Sequence, residues 1–144
     1  MRSVALRPTV NDAVLDSSAV LALLLAEPGA DRVKTVLPGA LLSTVNLAEV
    51  ISKLCERGMP AGEARAAVEA IGVEMVDFGI DLACVVGGLR TVTRSAGLSL
   101  GDRACLALAR HRGLPAMTSD AAWAQLSGFD VVQIRGPARE GRDG

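Results

Sequence analysis

The sequence predicts an α/β sandwich in which a mainly parallel central sheet is flanked by helices. Three observations carry this. Short aliphatic runs alternate along the chain with longer stretches of helical periodicity, the pattern of strands joined by helical crossovers. Runs such as Ala13-Val14-Leu15 and Ala40-Leu41-Leu42 are continuously apolar, as strands covered on both faces are. Finally, 144 residues, 50% of them hydrophobic, suffice for one core and are too few for two ordinary domains.

Each element has a local reason. Residues 1–12 lack periodicity and read as an N-terminal extension. Ala13-Val14-Leu15 is the first strand and ends at Asp16; Ser17-Ser18 then opens a helix to about Leu25, broken by Glu27-Pro28-Gly29. A second short helix runs from Ala30 to Leu37, before Pro38-Gly39. Ala40-Leu41-Leu42 is the next strand, and Thr44 to Arg57 a helix closed by Gly58. Pro60, suited to a first helical turn, starts a helix to about Ile71. Val73 to Val76 is strand-like, and Asp77 to Ser95 helical with Val85, Leu89 and Val92 on one face, ended by Gly97. A helix from Ser99 or Gly101 to His111 is followed by Gly113. Pro115 to Thr118 is a strand, Asp120 to Leu126 a short helix, and Val131 to Ile134 the last strand. Residues 135–144 read as a flexible tail, which leaves 13–134 as the domain.

Composition narrows the function. Hydrophobic content with only 22% charged residues excludes an intrinsically disordered chain. Phe78, Trp123 and Phe129 are the only aromatics, so the core is aliphatic and base-stacking platforms are not expected. Fifteen basic and sixteen acidic residues give a net charge of -1, with no basic footprint in the sum. The basic set is thirteen Arg and two Lys, Lys34 and Lys53. Cys55, Cys84 and Cys105 lie in apolar helical patterns without C-x-x-C spacing, and are expected to be free, buried thiols in a reducing cytosol. The longest apolar run, Ala19 to Ala26, is far short of a membrane span, and Glu27-Pro28 follows where a signal-peptide cleavage site would need small residues. A cytoplasmic location, with no membrane partner, is therefore expected.

In a parallel sheet, ligands bind where strands end and helices begin. Four acids fall at such junctions: Asp16 in AVLDSSAVLALL, Glu49 in STVNLAEV, Asp102 in LSLGDRACLALA and Asp120 in AMTSDAAW. Singly, each has an ordinary structural role, since Asp is a favoured helix N-cap and Glu49 stands three residues after Asn46, at capping-box spacing. Together they imply a cation. Crowded carboxylates raise one another's pKa unless a positive charge lies between them, and hard divalent ions take oxygen ligands. Such an ion favours deprotonation of water and offsets charge on a phosphate.

These motifs (V-L-D-S-S, N-L-A-E, L-x-x-x-D-R-A-C-L-A-L-A and M-T-S-D) occur in order between about Val14 and Val132, and the chain resembles the PIN-domain ribonucleases, most of all the VapC toxins of type II toxin–antitoxin pairs. The resemblance implies a PIN-like three-layer sandwich. It implies that Asp16, Glu49, Asp102 and Asp120 form an acidic site for Mg2+, with Mn2+ a plausible substitute. Ser17 and Thr118 would be auxiliary polar groups, and Asn46 would orient Glu49 or simply cap its helix. The implied chemistry is hydrolysis of RNA phosphodiesters by water, leaving 5′-phosphate and 3′-hydroxyl ends. Implied partners are an RNA substrate, a VapB-like antitoxin covering the acidic cleft, and a second copy of the chain in a homodimer. VapC chains usually reach their first strand almost at once, whereas here a longer extension precedes Asp16.

Arg103, next to Asp102, is a candidate RNA contact or a partner for an acid, and Arg90 and Arg94, one turn apart, are a candidate RNA rim or a solvated helix face. Gly87-Gly88 lies mid-helix without a phosphate-loop pattern, and His111, the only histidine, sits between two Arg at a helix end where positive charge suits the dipole. With the four acids neutralised by metal, fifteen basic residues would face twelve acidic ones, a balance of +3. Two rival readings remain at this stage. One is an aspartate-based phosphatase or phosphoacceptor on Asp16, although Ser18 stands where the D-x-D of haloacid-dehalogenase-type enzymes needs a second acid. The other is a non-catalytic module that keeps the fold alone.

Overall fold

The computed structural model describes residues 11–135. The expected extension before residue 11 and the tail after residue 135 lie outside the described residues. Five short strands, β1 (Val14–Leu15), β2 (Leu41–Ser43), β3 (Glu74–Val76), β4 (Ala116–Thr118) and β5 (Val131–Gln133), form one sheet in the order β3-β2-β1-β4-β5. Every pairing is parallel, with Val14 opposite both Leu41 and Ala116. Parallel neighbours need crossovers, and six helices supply them: α1 (Ser17–Leu24), α2 (Ala30–Lys34), α3 (Thr44–Glu56), α4 (Ala61–Ala70), α5 (Ile80–Val92) and α6 (Leu100–Arg112).

The continuous apolar runs now have a physical cause. Successive side chains of a strand face opposite sides of the sheet. Leu15, Leu42 and Met117 therefore enter one core with Val20, Val50, Leu54 and Val68 from α1, α3 and α4. Val14, Leu41 and Ala116 enter a second core with Cys105, Leu106 and Leu108 of α6 and the buried Trp123. Both faces are covered, so both positions of the alternation are apolar in Val14–Leu15 and in Leu41 and Leu42. Burying leucines such as Leu15, Leu41 and Leu42 completely is worth about 1.5–3 kcal/mol each.

Several boundaries and faces differ from expectation. The second helix stops at Lys34 rather than Leu37, and the stretch after Asp120 is a 3-10 turn, Ala121–Gln125, rather than an α-helix. On α5 the buried positions are Val86 and Leu89, which meet Ala107 of α6, whereas Val85 and Val92 are exposed at 45% and 74%. Apolar residues occupy both candidate faces of this helix, so periodicity alone selected the wrong phase. Cys105 is buried as expected, but Cys55 and Cys84 are exposed. Cys55 follows the buried Leu54 by one residue, about 100° around α3, and Cys84 precedes Val86 by two, about 200° around α5. Among the described residues no helix is long and apolar enough to cross a membrane.

Candidate active site

An all-parallel sheet sends the C-terminal ends of its strands to one edge. β1 and β4 are neighbours in register, so the residues that follow them, Asp16 and the Thr118–Asp120 segment, meet there. β2 ends at Ser43, whose hydroxyl accepts the Val45 N–H and starts α3, so Asn46 and Glu49 arise in the first two turns beside the same edge. α6 contributes Asp102 from its first turn.

Asp16 is the buried member of the set, 4% exposed. It is the N-cap of α1: Oδ1 accepts from Ala19 N at 2.9 Å and from Ser18 Oγ at 2.7 Å, while Oδ2 accepts from Thr118 Oγ1 at 2.5 Å. Burial raises its pKa to about 6; the hydrogen bonds from Thr118, Ser18 and Ala19 oppose the rise, and the charge of Asp102 adds to it. The same hydroxyls tie β1 to the segment after β4, because Thr118 Oγ1 accepts from Asp120 N at 3.0 Å and Ser18 Oγ from Ser119 N at 2.9 Å.

Glu49 is held by a different device. Asn46, 1% exposed, donates from Nδ2 to Glu49 Oε1 at 3.0 Å and to the Gly101 carbonyl at 3.1 Å. It thus fastens the carboxylate to the start of α6 as well as to α3. Gly101 has no side chain for a steric reason: a Cβ there would lie 2.2 Å from Glu49 Oε2 and 2.4 Å from Cδ. The Asn46 Oδ1 is buried without a hydrogen-bond partner among the described residues, leaving an acceptor at the base of the site.

Asp102 closes a capping box with Ser99, accepting from Ser99 N at 2.9 Å while Ser99 Oγ accepts from Asp102 N at 3.1 Å. Its pKa is raised, first by burial; the Ser99 hydrogen bonds lower it, and the charges of Asp120 and Glu49 raise it further. Asp120 caps the 3-10 turn by accepting from Ala122 N at 3.0 Å. The fields of Asp16, Asp102 and Glu49 also converge on Cys105, whose thiol is pushed well above its ordinary value chiefly by burial. The charge of Asp102 thus acts on Asp16, and those of Asp120 and Glu49 act on Asp102. Among the described residues no three His, Cys, Asp or Glu side chains converge as a ready-made metal cage. The donors are nonetheless all hard oxygens, a set that fits Mg2+ or Mn2+ and is unsuited to soft metals.

Other sequence candidates fall in different places. Ser17 forms none of these hydrogen bonds; its neighbour Ser18 does, two residues after the acid, the spacing at which a short hydroxyl side chain returns to a cap. Gly101 was equally unmarked, since only the packing of α3 against α6 makes its missing side chain meaningful. Arg103 donates to Val86 O at 2.9 Å and Ser99 O at 3.3 Å, fastening α6 to α5. Arg90 and Arg94 are exposed on and just after α5, without an ion pair among the described residues.

A PIN domain model matches residues 13–128. Similar solved structures include a toxin–antitoxin complex from Klebsiella pneumoniae, 21% identical over 86% of this chain and 98% of that one, with a TM-score of 0.69. VapC20 from Mycobacterium tuberculosis, a sarcin–ricin loop cleaving toxin, is 21% identical over 85% and 99%, with a TM-score of 0.69. VapBC-5 from the same organism, a member of the VapBC family of toxin–antitoxin systems, is 25% identical over 90% and 100%, with a TM-score of 0.59. No curated protein matches the sequence.

Proposed function

The chain belongs to the PIN domain family, and from that premise we propose that it is a VapC-like toxin: an endoribonuclease that hydrolyses RNA phosphodiester bonds with the help of a divalent metal. The observation that carries this is at the C-terminal edge of the sheet, where the charge of Asp102 raises the pKa of Asp16 and the charges of Asp120 and Glu49 raise that of Asp102. Such an arrangement costs stability in the metal-free protein and is repaid by binding a cation. Asp16, Glu49, Asp102 and Asp120 would hold Mg2+, with Mn2+ a workable substitute. Bound there, the ion would favour deprotonation of the attacking water and offset the charge of the phosphate.

The chain's own residues do the positioning. Ser18 and Thr118 fix both oxygens of Asp16, and Asn46 fixes one oxygen of Glu49 and leaves the other free. The helix N-termini behind Asp16 and Asp102 contribute positive ends of dipoles that favour the ionised carboxylates. The phosphoacceptor reading finds less support, because Asp16 is buried with both oxygens engaged, a poor posture for attack on phosphorus. Toxin–antitoxin complexes among the structural neighbours support a VapB-like partner for this chain. A homodimer has an apolar surface available in Val85 and Val92 of α5.

The test is RNA cleavage by purified protein in Mg2+ or Mn2+, with Asp16→Asn and Asp102→Asn beside the wild type. Both carboxamides keep shape and lose charge, and cleavage is expected to fall at least a hundredfold with the fold retained. Undiminished cleavage by Asp16→Asn would sink the proposal.

A further inference from the structure

A groove of about 330 Å3 opens beside the acidic site, its mouth formed by Ser18 and Ser119. Its apolar floor is Leu21 of α1 and Leu25, the residue that caps the end of that helix; the other wall is α3, which presents Lys53 and, just past its end, Arg57. Glu49, Lys53 and Arg57 are spaced four residues apart and so lie on one face of the helix. Each step is about 6 Å along the axis, similar to the spacing of neighbouring phosphates on an extended nucleic-acid strand. One turn beyond the site acid stands one cation, and a turn later stands the next.

Neither cation is engaged by another of the described residues. Among the described residues Lys53 and Arg57 form no ion pair, and both are exposed. Two acids line the same groove. Glu27 is paired with Arg135 at 3.2 Å, which leaves Glu56 alone against the two cations. The wall is therefore net positive although the chain as a whole carries -1.

We infer that the groove between α1 and α3 is the track for the RNA strand flanking the cleaved bond, with Lys53 and Arg57 holding successive phosphates on one side of it. This rests on the nuclease reading and adds to it the side from which the strand is gripped. A floor of leucines without aromatics offers bases an apolar surface but no stacking partner, so the grip is on the backbone and tolerant of sequence. Arg57 offers a planar fork and Lys53 a point charge, both suited to phosphate. The strand so placed runs away from α5, where Arg90 and Arg94 stand.

The experiment is the salt dependence of affinity for a short fluorescein-labelled single-stranded RNA of mixed sequence. It is read by anisotropy without divalent metal, so that no hydrolysis occurs. Each lost phosphate contact lowers the slope of log K against log salt by about 0.7. Lys53→Met and Arg57→Met are each expected to lower it by about that amount, and the double variant by about 1.4. Lys34→Met, which removes a cation that is paired with Asp31 and does not line the groove, is expected to leave the slope unchanged. Both target residues are exposed, and thermal melting verifies that their variants fold. A double variant with the wild-type slope overturns the inference, and so does an equal loss in Lys34→Met. The failures separate cleanly: a wild type that neither binds nor cleaves RNA refutes the nuclease reading, and this inference falls with it. A wild type that does both, with slopes untouched by the two substitutions, refutes the track alone. If the substitutions instead weaken only the hold of a co-purifying antitoxin, the groove belongs to protein and the inference is also overturned.

Discussion

Gly101→Ala separates the stability of this fold from the competence of its site. The added Cβ would sit 2.2 Å from Glu49 Oε2, whereas real Cβ atoms do not approach heavy atoms within 3.0 Å. The carboxylate must therefore withdraw by about 1 Å, a misplacement that can cost about a hundredfold in rate. What yields is the far end of a flexible side chain, not backbone, so the fold accommodates it. Withdrawal breaks the 3.0 Å hydrogen bond from Asn46, a loss of about 1.5–3 kcal/mol for a bond to a charged group. Against it stands a gain of up to about 1 kcal/mol from replacing glycine by alanine within a helix. The net loss of about 0.5–2 kcal/mol should lower the melting temperature by about 2–8 °C, while Mn2+ affinity, by calorimetry, and RNA cleavage each drop about ten- to a hundredfold. Gly101→Ala with wild-type affinity and cleavage would show that Glu49 works from another position and would refute the reasoning.

Further outcomes follow from Asp16. Its pKa is higher in the folded chain than the ordinary 3.8, so ionisation opposes folding: the metal-free protein should lose stability as pH rises from about 3.8 to about 6, and then level off. The difference of about two pH units corresponds to about 3 kcal/mol. Metal-free Asp16→Asn should accordingly be more stable than wild type at pH 8 in urea unfolding, though inactive. Metal affinity has the opposite slope, since the ligand must be ionised; Mn2+ binding should weaken about tenfold per pH unit below 6 and plateau above it. Thr118→Val removes the donor to Oδ2 and so raises the Asp16 pKa further. The acid limb of the cleavage profile should move to higher pH and return in Thr118→Ser.

Most of the scaffold was legible because its signals are local. Leu41 and Leu42 announce a doubly covered strand, and Gly58, Gly97 and Gly113, each at positive φ, mark chain reversals after helices. The buried side of α5 was not legible: Val85 and Val86 are adjacent and equivalent in a helical plot, and only the position of Ala107 decides between them. The exposure of Cys55 and Cys84 has the same cause: an apolar neighbourhood in sequence is not one in space. In the site, acids could be located by their strands, but Ser18 and Gly101 could not. Their importance lies in what sits opposite, a carboxylate in each case, delivered for Gly101 by a helix 52 residues away in sequence.

The structural and the functional readings of the acids are not alternatives. Asp16 caps α1, Asp120 caps the 3-10 turn after β4, and Asp102 closes the box that starts α6. In a parallel α/β sheet a helix that follows a strand begins at the strand's C-terminal edge, so its cap residue stands on that edge by construction. A short oxygen-bearing side chain is a favoured cap, and when it is Asp the oxygens not used on backbone N–H groups remain available to a cation. The helix N-terminus behind it also offsets part of the repulsion among the carboxylates. Glu49 is the exception that tests this logic, because it caps nothing and sits in the second turn of α3. It is also the acid that needs a dedicated holder, Asn46, and a neighbour stripped to glycine. Three acids are positioned by the demands of their helices, and the fourth by packing alone, which is why substitutions around Glu49 should damage the site with the least damage to the fold.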